Sequence, residues 1–296
     1  MPFHTLRGLR FHYQQAGSGP DVVLIHGVTG DLSIWFLCRA IQDLSARYRV
    51  TAYDLRGHGY SAAPESGYTS ADHAADLLAL MDELAIGRDG PAAVVGHSFG
   101  GVIALHAAVE APGRFGPVVL SDPYFPALRY LEDVSRWGHW ESFRQEALDA
   151  GVALSDEHWY DIGRFFDQVT HLDGEALLRF RQAVGLPGLN RLLRLGRTTC
   201  GPDSKLEAGL TAERISTMDR PALALYGAAS PFLATARYLS DTLPRCRTAI
   251  VPDAKHRAPE ENPEAFLRLL SEFLDETHPG AKDEQGKMAE SEKVRT

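Results

Sequence analysis

Two hydrophobic rhythms alternate along this chain. Short apolar runs stand at Asp21–Ile25, Tyr48–Tyr53, Ala92–Val95, Gly116–Leu120, Pro221–Gly227 and Arg247–Val251. Runs of this kind predict strands covered on both faces, as in a parallel sheet. Between them lie stretches whose apolar residues recur every three or four positions, such as Ala74, Leu77, Leu78, Met81 and Leu84 within Ser70–Ile86. That spacing predicts a helix there, with further helices at Ser33–Ala46, Val102–Ala111, Phe232–Leu243 and Pro263–Glu276. Residues 2–14 alternate as two short strands about an Arg7-Gly8 turn, and Gln15–Pro20 reads as a loop.

Strands alternating with helices imply an α/β fold, a mostly parallel sheet with helices on both faces. The alternation stops between Tyr124 and about Ala212, a helical stretch holding Trp137, Trp140 and Trp159. An insert at that point is expected to form a helical cap over the strand C-termini, where such sheets bind ligands. The expected organisation is a core of residues 1–123 and 213–276, a cap of residues 124–212 and a disordered tail of residues 277–296, which is polar and charged. There is no internal repeat.

Composition narrows the partners. The chain has 296 residues, enough for one large α/β domain with an inserted lobe, and a formal charge of -9. That charge gives no electrostatic reason to bind nucleic acid or an anionic membrane. Cys38, Cys200 and Cys246 lie far apart without metal-ligand spacing, so reduced thiols are expected, with no bound metal. A basic leader before an apolar stretch is missing, as is any apolar run of about 20 residues. A soluble cytoplasmic protein is the expectation.

The stretch Val94 to Gly101 carries the chemistry. Apolar residues run into Gly96-His97-Ser98-Phe99-Gly100, and a helical pattern follows. Strand, sharp Gly-x-Ser-x-Gly turn and helix together raise a serine hydroxyl above the end of a parallel sheet. Gly96 and Gly100 allow neighbouring backbone to pass close to a strained residue. Ser98 is therefore the candidate nucleophile, to be activated by a base within hydrogen-bond reach.

Three further motifs stand in order with this turn: His26-Gly27-Val28 after an early strand, Asp54-Leu55-Arg56-Gly57-His58-Gly59-Tyr60-Ser61 after the next, and His256 after the last. With them the chain resembles the α/β-hydrolase family over nearly its whole length, the tail excepted. The resemblance implies a sheet of about eight strands, a cap, and the chain order serine, acid, histidine. It implies His256 as general base, since imidazole titrates near neutrality. His97 is expected to point away from the serine, His26 and His58 to hold loop geometry, and His106 to pack. Backbone N–H groups of Val28 and Phe99 are expected to form the oxyanion hole. In most members the acid follows the penultimate strand as Gly-x-x-Asp, but here that segment reads Gly227-Ala228-Ala229-Ser230-Pro231. Serine cannot supply the charge that stabilises an imidazolium. Some members place the acid after the strand that follows the elbow helix. In this chain Asp122 stands there, with Asp253 as the alternative and a helix cap as its structural role.

The aromatic residues of the helical stretch, Trp137, Trp140 and Trp159 with Tyr124, are candidate substrate contacts, and Trp137 and Trp140 are spaced to share a helix face. The expected activity is cofactor-free cleavage of a carboxylic ester or lactone of an apolar small molecule. Carbon–carbon bond hydrolysis of a diketone-like compound uses the same machinery, and a silent ligand-binding protein is a reading of another class.

Overall fold

Successive residues of each central strand face opposite sides of one sheet, and here both sides are apolar. Strands β1 (Phe3–Leu6), β2 (Leu9–Ala16), β3 (Asp21–Ile25), β4 (Arg49–Tyr53), β5 (Ala92–His97), β6 (Phe115–Ser121), β7 (Ala222–Gly227) and β8 (Cys246–Val251) form an eight-stranded sheet in the order β1-β2-β4-β3-β5-β6-β7-β8. The β1–β2 hairpin joins antiparallel, and β3 to β8 are mutually parallel. This computed structural model describes residues 2–278 and residue 280.

Period-two alternation sorts each strand between two cores. Val23, Ile25, Val94, Val118, Leu120 and Ala224 face helices α3 and α4 on one side. Val22, Leu24, Val95, Val119, Leu223 and Leu225 face the other, with Trp35, Leu44, Phe266 and Leu270. In chain order the helices are α1 (Ile34–Leu37), α2 (Ala40–Leu44), α3 (Ser70–Glu83), α4 (Phe99–Glu110), α5 (Trp140–Asp149), α6 (Ile162–His171), α7 (Gly174–Leu195), α8 (Cys200–Asp203), α9 (Ala212–Ser216), α10 (Leu233–Thr242), α11 (Ala258–Glu261) and α12 (Pro263–Thr277). Helices α5 to α9 all lie between β6 and β7. Part of that segment has its own core, in which Phe166, Val169, Phe180, Leu192 and Leu195 pack with Tyr68 from the loop before α3. Among the described residues no helix is long and apolar enough to cross a membrane.

Two expectations need correction. The helix expected over Ser33–Ala46 is two short ones, α1 and α2, because Arg39 turns left-handed at φ 67°. Its buried residues Trp35, Cys38, Ile41 and Leu44 recur every three positions, so a continuous α-helix would rotate that stripe through about 180° over its length. The break at Arg39 returns both halves to the sheet. The expected tail also begins too early. Thr277 closes α12, and the His278 ring stacks on Tyr48 at 5.9 Å and bonds the Asp21 carbonyl at 3.0 Å. The rest of the expected tail, residue 280 apart, lies outside the described residues.

The turn between β5 and α4 depends on close backbone packing. A Cβ at Gly100 would run into the carbonyl oxygens of Ile25 and His26, and one at Gly96 into the Gly100 carbonyl. Neither obstacle is a flexible side-chain end that could swing away. Gly100→Ala is therefore expected to cost about 3 kcal/mol or more, read as a lower urea midpoint with unchanged slope.

Candidate active site

Ser98 sits between β5 and α4 at φ 55° and ψ −123°, a strained conformation for a residue with a side chain. Its N–H donates to the Ser121 carbonyl (2.8 Å) and its carbonyl accepts from the Gly101 N–H (2.8 Å), so the turn is pinned from both ends. Gly27 passes close by: a Cβ there would stand 3.0 Å from the Ser98 Cβ.

From the loop after β8, His256 brings Nε2 to 3.0 Å of the Ser98 hydroxyl. Its Nδ1 lies 2.9 Å from Asp122 Oδ1, at the end of β6. Asp253, the alternative acid, is exposed on a turn, while Asp122 is fully buried. Asp122 also adopts a positive φ of 53°, and its side chain turns toward β7 instead of capping a helix. There the Gly227 N–H donates to Oδ2 (2.9 Å) and the Ser230 hydroxyl donates to Oδ1 (2.7 Å). A buried carboxylate is tolerable only when donors surround it, and His256, Gly227 and Ser230 supply them. Ser230 holds the position where the family pattern puts the acid. Its hydroxyl donates to Asp122 instead, and itself accepts from the Phe232 N–H (3.0 Å).

Groups outside the motifs hold the histidine loop. His97 makes no hydrogen bond to the Ser98 hydroxyl among the described residues and donates from Nε2 to the His256 carbonyl (2.9 Å). Glu261 accepts from the N–H groups of Lys255 (2.7 Å) and Arg257 (3.2 Å) on either side of His256. Glu261 carries no sequence signal that would have revealed this role. A Cβ at Gly227 would strike the Lys255 carbonyl, so glycine is required where β7 meets this loop.

Across the serine, the His26–Gly30 loop is tied down by two histidines. His26 Nδ1–H donates to the Gly27 carbonyl (2.8 Å), while Nε2 accepts the Leu55 N–H (3.0 Å). His58 stands between two carbonyls, with Nε2 2.5 Å from that of Val28 and Nδ1 2.7 Å from that of Arg56. Burial pushes this ring down to about 3, so it is neutral and its single N–H donates to one of them. Val28 and Phe99 both stand beside Ser98 on a cavity wall. Asp31, at the end of the loop, pairs with Arg191 of α7 and so links it to the helical segment.

Ser98 and His256 border two chambers. One, about 330 Å³, is walled mainly by apolar and aromatic side chains, including Tyr124, Phe143, Trp159, Phe165 and Phe232. The other, about 430 Å³, carries Thr29, Asp31, Arg191, Arg257 and Glu260. Of the four aromatic candidates, Tyr124 and Trp159 reach the apolar wall. Trp137 and Trp140 do not. Trp137 lies outside any helix and donates to the Ala229 carbonyl (2.9 Å), while Trp140 opens α5 and donates to Asp156 (2.7 Å). Both stand behind Trp159 with ring centroids 6.4 Å away, supporting it instead of facing the cavity. Their indole N–H groups decide this, because each takes a polar partner away from the chamber.

Burial sets the protonation of the surrounding histidines. It pushes His26 and His73 below the usual imidazole range and His97 down to about 3. His26 is also held neutral by geometry, since its Nε2 accepts an N–H. His73 packs edge-on to Phe99 at 5.4 Å, and among the described residues neither of its ring nitrogens has a partner. A histidine whose folded pKa is lowered takes up its proton more readily when unfolded, so stability falls as pH drops below about 6.5. Each such group steepens the loss by up to about 1.4 kcal/mol per pH unit. Urea midpoints at pH 8.0, 6.5 and 5.5 are expected to fall progressively. His73→Leu is expected to flatten that fall by about one proton, since it removes the ring that has no partner to lose.

Comparison with known proteins agrees with this geometry. A family model described as alpha/beta hydrolase fold matches residues 20–263. The 2-(acetamidomethylene)succinate hydrolase of Mesorhizobium japonicum is 27% identical over 90% of this chain and 92% of its own. The pimeloyl-[acyl-carrier protein] methyl ester esterase of Vibrio campbellii is 27% identical over 88% of this chain and 97% of its own. Among solved structures, the meta-cleavage product hydrolase from Pseudomonas fluorescens IP01 superposes with a TM-score of 0.66 at 25% identity, covering 93% of this chain and 98% of that one. A sheet of this order, a serine in a strained strand-to-helix turn and a match over most of the length lead to one conclusion: the chain belongs to the alpha/beta hydrolase fold family.

Proposed function

We propose that this protein is a cofactor-free serine hydrolase that cleaves a carboxylic ester or lactone of an apolar small molecule through an acyl-enzyme. The observation that carries this reading is the unbroken run of hydrogen bonds from the Ser98 hydroxyl through the His256 ring to Asp122, beside an aromatic chamber. In this reading Ser98 Oγ attacks the carbonyl carbon while His256 Nε2 takes its proton. The buried Asp122 carboxylate stabilises the resulting imidazolium through Nδ1–H. Negative charge developing on the carbonyl oxygen is met by the Val28 and Phe99 N–H groups, whose loop and helix are already fixed before substrate arrives. Collapse of the adduct expels an alkoxide that collects the proton from Nε2; in a lactone it stays tethered to the acyl group. Water then attacks the acyl carbon as His256 takes its proton, and the adduct collapses with that proton delivered to the departing Ser98 Oγ, releasing the acid and restoring the free enzyme.

The helical segment between β6 and β7 acts in this reading as a cap. Its Trp159 and Phe165, with Tyr124 and Phe232, offer rings to an apolar substrate, as chambers of this size and lining do. The likeness to a methyl ester esterase supports the ester reading. The likeness to a meta-cleavage product hydrolase supports a second, hydrolysis of a carbon–carbon bond beside a ketone. Product analysis on matched ester and diketone substrates separates the two.

A fluorophosphonate probe is expected to label Ser98 in the wild type and leave Ser98→Ala unlabelled; an unlabelled wild type would instead mark a binding protein. Asp122→Asn is expected to lower kcat on a turned-over ester by about 10⁴-fold with little change in KM. Ser230→Ala withdraws one donor from the same carboxylate without removing its charge, so a smaller loss of about tenfold in kcat is expected. If Asp122→Asn keeps wild-type kcat, the acid has been misassigned.

A further inference from the structure

Within the aromatic chamber one feature is chemically out of place. Asp161 and Lys205 stand on the same wall as Tyr124, Trp159, Phe165 and Phe232. The Lys205 ammonium bonds both Asp161 oxygens, at 2.8 and 2.9 Å. Asp161 is the N-cap of α6, and its Oδ1 also accepts from the Arg164 N–H at 3.0 Å. The carboxylate is thus occupied by donors. Burial alone would push it up, but hydrogen bonds from Lys205 and from the first turn of α6 hold it below the usual carboxylate range. The ammonium is in the opposite state. It carries three N–H groups, and among the described residues it meets no acceptor besides Asp161. Its side chain keeps 38% of its surface open, against 14% for Asp161.

The consequence follows from desolvation. A ligand that fills an apolar chamber strips water from the wall atoms it covers, and Lys205 stands on that wall. If the ligand is purely hydrocarbon, the spare N–H loses its solvent and gains nothing, and this penalty is large for a charged donor. A ligand oxygen placed against it restores the hydrogen bond in a charge-assisted form. A donor group has less to gain there, because Asp161 already accepts three hydrogen bonds from Lys205 and α6 and keeps 14% of its side-chain surface open. Sites built to hydrogen-bond a substrate group reject analogues that lack it far more strongly than apolar walls reject a missing methylene.

We propose that Lys205, oriented by Asp161, forms a substrate subsite for a hydrogen-bond-accepting oxygen carried by a ring-bearing compound, apart from the bond that is cleaved. The inference rests on the hydrolase reading for calling the occupant a substrate. The binding it describes needs no turnover. A second role for the pair, tying α6 to the turn after α8, would affect all ligands alike and is separable on that ground.

The test compares two ligands of nearly identical shape, 2-acetylnaphthalene and 2-isopropenylnaphthalene, in which a carbonyl oxygen is exchanged for a methylene. Equilibrium dialysis against the full chain gives the ratio of their affinities. The wild type is expected to favour the acetyl compound by about tenfold, Lys205→Arg to keep a preference, and Lys205→Met to bring the ratio near one. Equal affinities in the wild type overturn the proposal, whatever the variants do. A ratio unchanged in Lys205→Met overturns it too and leaves the pair as a structural tie. Fluorophosphonate labelling of Ser98 in the same preparations judges the hydrolase reading separately, so either idea can fail alone.

Discussion

A single carboxylate, sealed from water at the end of β6, ties three separate segments of this molecule to the serine turn. Charge in a protein interior is costly unless donors surround it, and removing one partner of such a group typically costs 3–5 kcal/mol. Asp122 draws its donors from three separate places: the end of β7 at Gly227, the following turn at Ser230, and the loop after β8 at His256. Those segments are brought into register by the parallel pairing of β6, β7 and β8. The same atoms that make the charge tolerable also aim the imidazole at Ser98. Stability and orientation therefore draw on one set of hydrogen bonds.

The serine is held from the other side by backbone crowding. Gly27, Gly96 and Gly100 let β3, β5 and the start of α4 approach until a side chain on either of the last two would collide with main chain. His26 and His58 then lock the loop that carries Val28, and His97 locks the backbone of His256. All three rings are buried, so they serve the site as fixed polar struts. Their polar nitrogens face backbone, whereas the polar nitrogens of His256 face Asp122 and Ser98. Position relative to a reactive group separates the two kinds of histidine in this chain.

The helical segment between β6 and β7 gives the site its asymmetry. Aromatic rings dominate one chamber at Ser98, where Asp161 and Lys205 are the charged pair, while the other mixes apolar side chains with Asp31, Arg191, Arg257 and Glu260. Trp137 anchors this segment to Ala229, one residue before the Ser230 that holds Asp122, and Arg191 anchors it to the loop that carries Val28. Displacement of the segment would thus be felt on both sides of the serine.

By itself the sequence determined the α/β class, the positions of the strands and the elbow at Ser98, because period and glycine placement are local properties that short stretches of chain express directly. Compared with the family it resembles, it also showed a serine at residue 230 where most members carry the acid, and made Asp122 the expected acid. Only the tertiary structure decided that Ser230 donates to Asp122, that Glu261 braces the histidine loop, and that the α1–α2 segment breaks at Arg39. It also sorted the tryptophans, placing Trp159 on the chamber wall and Trp137 and Trp140 behind it. The break at Arg39 depends on returning an apolar stripe to the sheet, and the other outcomes on which distant polar atom each group meets. Partners such as Asp122 and Ser230, 108 residues apart in the chain, leave no periodic trace in it.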